Sequence, residues 1–255
     1  MNHEWLPPGV CEAAMDHARR EFPNESCGLV VGSEYLPMIN THENPKEHFR
    51  IASEEWIKAQ SHGKILAVIH SHPHGPLFPS KADMAGQMDS DVPWGIIAVD
   101  EDRVGYPIMW GDSLPIQPLI GRQFMHGVTD CYSLIRDFYR TGKAELARMD
   151  IDQNWPFDPI VLKDYPRDDC WWDGEDDFYL TKSEETGFRK IDSSDIRPGD
   201  VFLTSIRSKK LNHGGMLLSN GLIAHHLPTR FSRREAAAIW ARAASMWIRY
   251  EGPNA

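Results

Sequence analysis

The chain has 255 residues, enough for two cores of ordinary size, and its 41% hydrophobic and 25% charged content excludes both a disordered chain and a membrane-saturated one. A formal charge of -10, with no Lys/Arg cluster longer than the short Arg230 to Arg234 run, argues against a nucleic-acid partner. The longest apolar runs, 65–69 and 96–99, are strand-sized and far below the ~20 residues that cross a bilayer, so no membrane span is expected.

The start, Met-Asn-His-Glu-Trp-Leu-Pro-Pro, carries neither the basic nor the apolar part of a secretion signal, and synthesis and first use in a cytoplasm are expected. Residues 12–21 predict a short helix that stops at Pro23, and 27–32 a buried strand ended by glycine. A helix over 53–61 capped by Ser53, a strand over 64–70, a helix over 82–88 and a strand over 95–100 follow. Together they predict a mixed α/β domain over 1–112. Gly111-Asp-Ser-Leu-Pro-Ile-Gln-Pro then breaks all periodicity and predicts a linker over 113–125.

Beyond it Asp130 is expected to cap an amphipathic helix with Leu134, Ile135, Phe138 and Tyr139 on one face. An acidic, Trp-rich insertion at about 150–185 reads as a solvated face over a tryptophan anchor, and Trp171 and Trp172 as candidates for an interface with other proteins. Strands over 200–206, 213–218 and 222–227 complete an α+β domain over 126–255. The four cysteines show no C-x-x-C spacing, which fits neither a zinc knuckle nor a disulfide scaffold.

Two residues at i and i+2 of an extended strand point to one side, so His70 and His72 can grip one ion. With Asp83 they form an imidazole and carboxylate set that suits zinc, and three protein ligands leave the fourth position open to water, as in catalytic sites. Glu25, just before the buried strand, is the candidate base, and Ser80 the candidate oxyanion donor. His-x-His, seven residues, Ser, two residues and Asp, preceded by Glu25-Ser-Cys-Gly, resembles the JAMM (MPN-domain) metallopeptidase pattern at every signature position. The resemblance implies one Zn2+, ligands His70, His72 and Asp83, base Glu25, oxyanion donor Ser80, and amide or isopeptide hydrolysis. Cys27 is then a packing residue, His74 a rim residue, and His42, His48 and His62 surface residues.

Cys131 follows the cap Asp130 in the first turn of a helix, where free N–H groups and the dipole favour a thiolate. A base is available in His213, at the start of a strand about eighty residues later, with His225 near the end of the next strand, and the order Cys, His, third polar group suits a papain-like site. If Asn220-Gly221 forms a plain two-residue turn, His226 shares the face of His213; a bulged turn with Gly221 left-handed puts His225 there instead. Asp130-Cys-Tyr-Ser-Leu-Ile, Pro198-Gly-Asp-Val-Phe-Leu, Asn212-His-Gly-Gly-Met-Leu-Leu and Leu222-Ile-Ala-His-His resemble the landmarks of NlpC-type cysteine peptidases with a papain-like fold. That resemblance implies Cys131 as nucleophile, His213 as base, His225 as its orienting partner, and peptidoglycan stem peptides as substrate. The family's upstream tyrosine is missing from Gln123-Phe124-Met-His126-Gly.

A JAMM domain joined to an NlpC-type domain resembles the tail-tip assembly protein family of lambda-like tailed phages. This implies other tail-tip proteins as partners, the host cytoplasm as the place of assembly, and the virion tail tip and host periplasm during entry. Two alternatives stand beside it: a structural tail component with one or both sites vestigial, and a cellular JAMM deconjugase.

Overall fold

A computed structural model describes residues 2–149, 158–174 and 177–252. The chain divides into two units, Met1–Pro115 and Ile116–Ala255, each around its own apolar core. Among the described residues, no helix is long and apolar enough to cross a membrane. The stretch expected as a linker is packed at both ends. Leu114 is buried in the first core, Leu119 in the second, and Gln123 bridges to Phe231, because two leucines among the prolines and polar residues still favour burial.

The first unit runs α1 (Val10–Glu21), β1 (Cys27–Val31), β2 (Glu34–Met38), α2 (Ser53–His62), β3 (Ile65–Pro73), α3 (Lys81–Ser90), β4 (Trp94–Val99) and β5 (Ile108–Trp110). Its sheet order is β2-β1-β3-β4-β5, and β3 and β4 are parallel with α3 as the crossover between them. Val10, Ala14 and Ala18 recur every four residues and bury α1 against Val30, Ala67, Ile69, Ile97 and Met109. Strand alternation therefore turns Ala67 and Ile69 toward α1, and sends Val68, His70 and His72 to the opposite face. Ser53 is the first residue of α2 and not its cap, which is Ala52.

The second unit runs α4 (Cys131–Arg148, interrupted at Gly142), α5 (Phe178–Thr186), β6 (Phe188–Ile191), β7 (Val201–Thr204), β8 (His213–Leu217), β9 (Leu222–His225), β10 (Arg233–Ala236), α6 (Ala237–Ala243) and β11 (Met246–Tyr250). The strands form one antiparallel sheet in the order β10-β9-β8-β7-β11-β6. Leu134, Ile135, Phe138 and Tyr139 share a core with Val201, Leu203, Met216 and Ala224, while Phe202, Leu217, Ile223 and Trp247 form a second core that Trp240 of α6 joins.

Asp150 to Phe157, Glu175 and Asp176 of the expected insertion lie outside the described residues. In the described part, Asp168 and Asp169 are exposed, as a solvated acidic face requires, and Leu162, Tyr165 and Arg167 are buried. Trp171 is half-buried against Phe178 and Tyr179, with ring centroids 5.0 and 5.4 Å apart. It buttresses the interior, since an indole beside two aromatic rings gains more by packing than by facing water.

Candidate metal and thiol centres

The candidate metal site is built by one strand and the turn that starts the next helix. His70 and His72 leave the same face of β3, and Ser80 caps α3 in a reciprocal box. Asp83 N–H donates to Ser80 Oγ at 3.1 Å, and Ser80 N–H donates to Asp83 Oδ2 at 2.8 Å. The box swings the Asp83 carboxylate back toward the strand. His70 Nε2 and His72 Nε2 are 3.0 Å apart, His70 Nε2 is 3.4 Å from Asp83 Oδ1, and His72 Nε2 is 3.4 Å from Asp83 Oδ2. Tetrahedral zinc with bonds of about 2.0 to 2.1 Å spans donor edges of roughly 3.3 Å, so the three donors fit such an ion. His72 Nδ1–H donates to the Pro76 carbonyl at 2.9 Å, which leaves Nε2 bare and able to ligate a metal. His70 is packed among Phe49, Trp94 and Trp110, the nearest ring centroid 4.7 Å away.

Glu25 reaches this site by register. β1 and β3 pair Cys27 with His70, and Ser71 N–H donates to the Ser26 carbonyl at 3.0 Å, which sets Glu25 beside His72. The backbone of Glu25 is held from outside the sheet, its N–H on the Pro45 carbonyl at 2.7 Å and its carbonyl under the Asn40 amide at 3.0 Å. Burial pushes its carboxyl up to about 7, with Asp83 adding to the shift and His72 opposing it. Burial also opposes the charged form of Asp83, but His70, His72 and Ser80 outweigh it and hold the carboxyl well below the usual range. Burial holds His70 down. Burial likewise opposes charge on His72, yet Asp83 and the Pro76 carbonyl push it up.

A cleft of about 750 Å³ opens on Glu25, His72, Ser80 and Asp83, walled by Phe49, Trp56 and Trp94. The Ser80 hydroxyl, expected to serve an oxyanion, donates to Asp83 Oδ2 at 2.7 Å in this structure. His74 lies exposed against Phe22 and does not line this cleft, His42 and His48 edge each other at the cleft mouth, and His62 ends α2 in solvent. Cys27 is fully buried, its thiol pushed up to about 12 by burial.

In the second unit Asp130 caps α4, accepting from Ser133 N–H at 2.8 Å through Oδ1. Its other oxygen takes Gly127 N–H at 2.9 Å and the Arg167 guanidinium at 2.8 and 3.1 Å. Cys131 follows in the first turn, buried, with its sulfur 3.2 Å from the Tyr179 hydroxyl and within reach of the Gly214 backbone N–H. Burial and then the Asp130 charge push the thiol up to about 11, so in this arrangement the helix start holds a neutral thiol.

His213 Nε2 lies 3.1 Å from His225 Nδ1. The loop that makes this possible has three residues, Ser219, Asn220 and Gly221, with Asn220 at φ 61° and Gly221 at φ 68°, closed by Leu218 N–H on the Leu222 carbonyl at 2.8 Å. The odd loop length pairs Gly215 with His225 and so places His225, not His226, on the face of His213. A Cβ on Gly215 would fall 2.8 Å from His225 Cβ, which is why glycine stands there. His226 points the other way, its Nε2–H on the Arg230 carbonyl at 3.1 Å and its ring on Phe124. Burial, then His225 and His226, hold His213 down to about 3. The structure thus joins His213 to His225 and Cys131 to Tyr179, and among the described residues no hydrogen bond links Cys131 to His213.

Three residues at this centre escaped the sequence reading. Tyr179 brings a hydroxyl to the sulfur from downstream of the cysteine, and only its place after the capping Asp177 hints at order there. Arg167 sits 2% exposed within the acidic run, where composition suggests solvent. Glu235 lies 3.4 Å from His225 Nε2, on a charged strand with no apolar period to announce it.

The description "Prokaryotic homologs of the JAB domain" matches residues 7–108, and the NlpC/P60 family matches residues 109–245. The tail tip assembly protein K of Escherichia phage N15 is 31% identical over 252 residues, 94% of this chain and 93% of the relative. That of Escherichia phage lambda is 33% identical over 188 residues, 72% of this chain and 81% of the relative. A probable TtuB-protein conjugate cleaving protease of Thermus thermophilus is 32% identical over 108 residues, 39% of this chain and 72% of the relative. With one peptidase-family domain matched on each unit and its relatives matched nearly end to end, the chain belongs to the tail tip assembly protein K family, a JAB domain of mixed α/β fold joined to an α+β NlpC/P60 domain.

Proposed function

We propose that this tail-tip assembly protein carries two hydrolytic centres, a zinc-dependent amide or isopeptide hydrolase at His70, His72 and Asp83, and a cysteine endopeptidase at Cys131 that cuts peptidoglycan stem peptides. The observation that carries the reading is the convergence of two imidazole nitrogens 3.0 Å apart, each 3.4 Å from one oxygen of the Asp83 carboxylate, with Glu25 beside them at the foot of a cleft. His70, His72 and Asp83 would hold the zinc ion, which would supply Lewis acidity there. Glu25 would take the proton of the attacking water and return it to the leaving amine. Ser80 reaches the oxyanion by giving up its hydroxyl bond to Asp83 Oδ2, which the Ser80 backbone N–H continues to hold.

At the thiol centre the Cys131 proton passes to His213 as the sulfur attacks the carbonyl carbon, and His213 returns it to the amine that departs from the acyl-enzyme; water then releases the acid. Tyr179 supplies the oxyanion hydroxyl in place of the missing upstream tyrosine. Partners are other tail-tip proteins during assembly in the host cytoplasm. On entry the protein acts from the virion tail tip in the host periplasm, opening the wall, while the zinc centre cuts a protein or peptide bond. The Thermus relative is named for cleaving protein conjugates, which supports the amide or isopeptide class for the first unit alone.

One observation favours the rival reading, a structural protein with a vestigial thiol centre: the sulfur bonds Tyr179 and not His213, in a buried setting that pushes the thiol up to about 11. Zymography on purified peptidoglycan, with iodoacetamide and a zinc chelator added separately, decides between them. Lysis abolished by iodoacetamide alone assigns wall cleavage to Cys131, and lysis indifferent to both reagents overturns the proposal. Metal analysis should give one zinc per chain in the wild type and none in His70→Ala.

A further inference from the structure

The His213 and His225 pair leaves one question of protons open, and the groups beyond it answer it. Burial keeps both rings neutral, holding His213 down to about 3 and His225 down to about 4, so each ring carries one hydrogen and one lone pair. The 3.1 Å contact between His213 Nε2 and His225 Nδ1 is satisfied whichever nitrogen donates. The two arrangements differ chemically. In one, His213 Nδ1 keeps its lone pair and can accept a proton; in the other it already carries one.

His225 Nε2 is buried with no hydrogen bond in this structure, and the group facing it is Glu235 Oε2 at 3.4 Å. Trp240 Nε1–H donates to that same oxygen at 2.7 Å, and the Arg233 guanidinium holds the other. Partial burial opposes the charged carboxylate, yet the Trp240 bond, His225 and Arg233 outweigh it, so Glu235 is ionised and can only accept. β10 pairs Arg233 with His225 and so puts Arg233 and Glu235 on the face of β9 that carries His225. The Trp240 ring centroid lies 4.3 Å from that of His225 and 5.4 Å from that of His213, so one indole packs, tilted, against both imidazoles.

We propose that Glu235 is a positioning residue of the thiol centre: its carboxylate draws the His225 hydrogen to Nε2, so that His213 donates through Nε2 and keeps its Nδ1 lone pair free to take the thiol proton. The catalytic part of this inference rests on the cysteine-peptidase reading above. The effect is transmitted through two rings, and its signature is a tautomer, which a purely structural carboxylate would not set.

The test uses the full chain labelled with 15N-histidine, as wild type, Glu235→Leu and Glu235→Asp. Wild type should show His225 protonated at Nε2 and His213 bare at Nδ1; His225 protonated at Nδ1 in the wild type overturns the proposal without any variant. Glu235→Leu removes the acceptor that faces His225 Nε2 and should reverse both rings in a large share of molecules, with at least a tenfold fall in kcat on a stem-peptide substrate and KM unchanged. Glu235→Asp, which keeps an acceptor-only group, should retain the wild-type tautomers. Unchanged tautomers in Glu235→Leu overturn the proposal, whether or not turnover falls. A wild-type protein that cleaves no stem peptide would instead refute the hydrolytic reading, while the tautomer populations still decide the role of Glu235.

Discussion

Gly215 has no side chain, and the distance between His213 and His225 depends on that. A methyl group there would lie 2.6 Å from the Ala224 carbonyl oxygen and 2.8 Å from His225 Cβ, so β8 and β9 would have to part. Gly215→Ala should destabilise the second unit by about 1 to 3 kcal/mol, measured by thermal melting, and cut thiol-centre turnover at least tenfold. Tyr179 acts at the same scale. Its hydroxyl bond lowers the Cys131 pKa against the larger effect of burial, so Tyr179→Phe should raise the thiol above about 11 and slow alkylation by iodoacetamide. If the hydroxyl also serves the oxyanion, turnover in Tyr179→Phe falls by roughly 10²- to 10³-fold, whereas stability changes by only about 1 kcal/mol.

At the scale of elements, the start of α4 is tied to the segment at 158–174 by one guanidinium. Arg167 reaches Asp130, Asp164, Ser133 and the Tyr165 carbonyl, all within 3.2 Å, so its donors are spent inside the unit. Removing it strands the Asp130 carboxylate in the interior, and Arg167→Ala should cost about 3 to 5 kcal/mol in melting of the second unit. The acid limb follows from the same pair. Burial pushes the Asp130 carboxyl up, but Arg167 and then His126 outweigh it and hold it well below the usual carboxylate range. A depressed folded pKa gives stability that is complete above the unfolded value of ~3.9 and is lost as pH falls below it. Melting of the second unit should therefore decline between about pH 4 and pH 2 in the wild type, and less steeply in Arg167→Ala. Equal slopes would show that another carboxylate sets the acid limit.

For the whole molecule, the two units carry different chemistry and should answer different reagents. A metal bound only to the folded first unit stabilises that unit, by about 4 kcal/mol at a thousandfold excess over its dissociation constant. Chelation should lower the first unit's melting transition and leave the second unit's in place. Trp94 and Trp110, with ring centroids 5.8 and 6.2 Å from that of His70, lie close enough to the candidate metal site for their fluorescence to respond to metal binding. A shift of both transitions would show that the metal is not confined to the first unit.

Local order made much of this legible in the sequence. His70, His72, Ser80 and Asp83 lie within fourteen residues, where strand alternation sets the first pair and a helix-capping box the second, and only the short turn from β3 to α3 has to bring the two pairs together. The helices α1, α3 and α4 and the strands β1, β3 and β4 announced themselves through apolar period and caps. The strands β2, β6 and β10 did not, because edge strands carry polar and charged residues and no buried period. Only the tertiary structure decided which histidine meets His213, since one residue more or less in the loop at 219–221 reverses the face. The same holds for Tyr179, Arg167 and Glu235, each brought to the thiol centre by packing and register between elements distant in sequence, for which the chain holds no local sign.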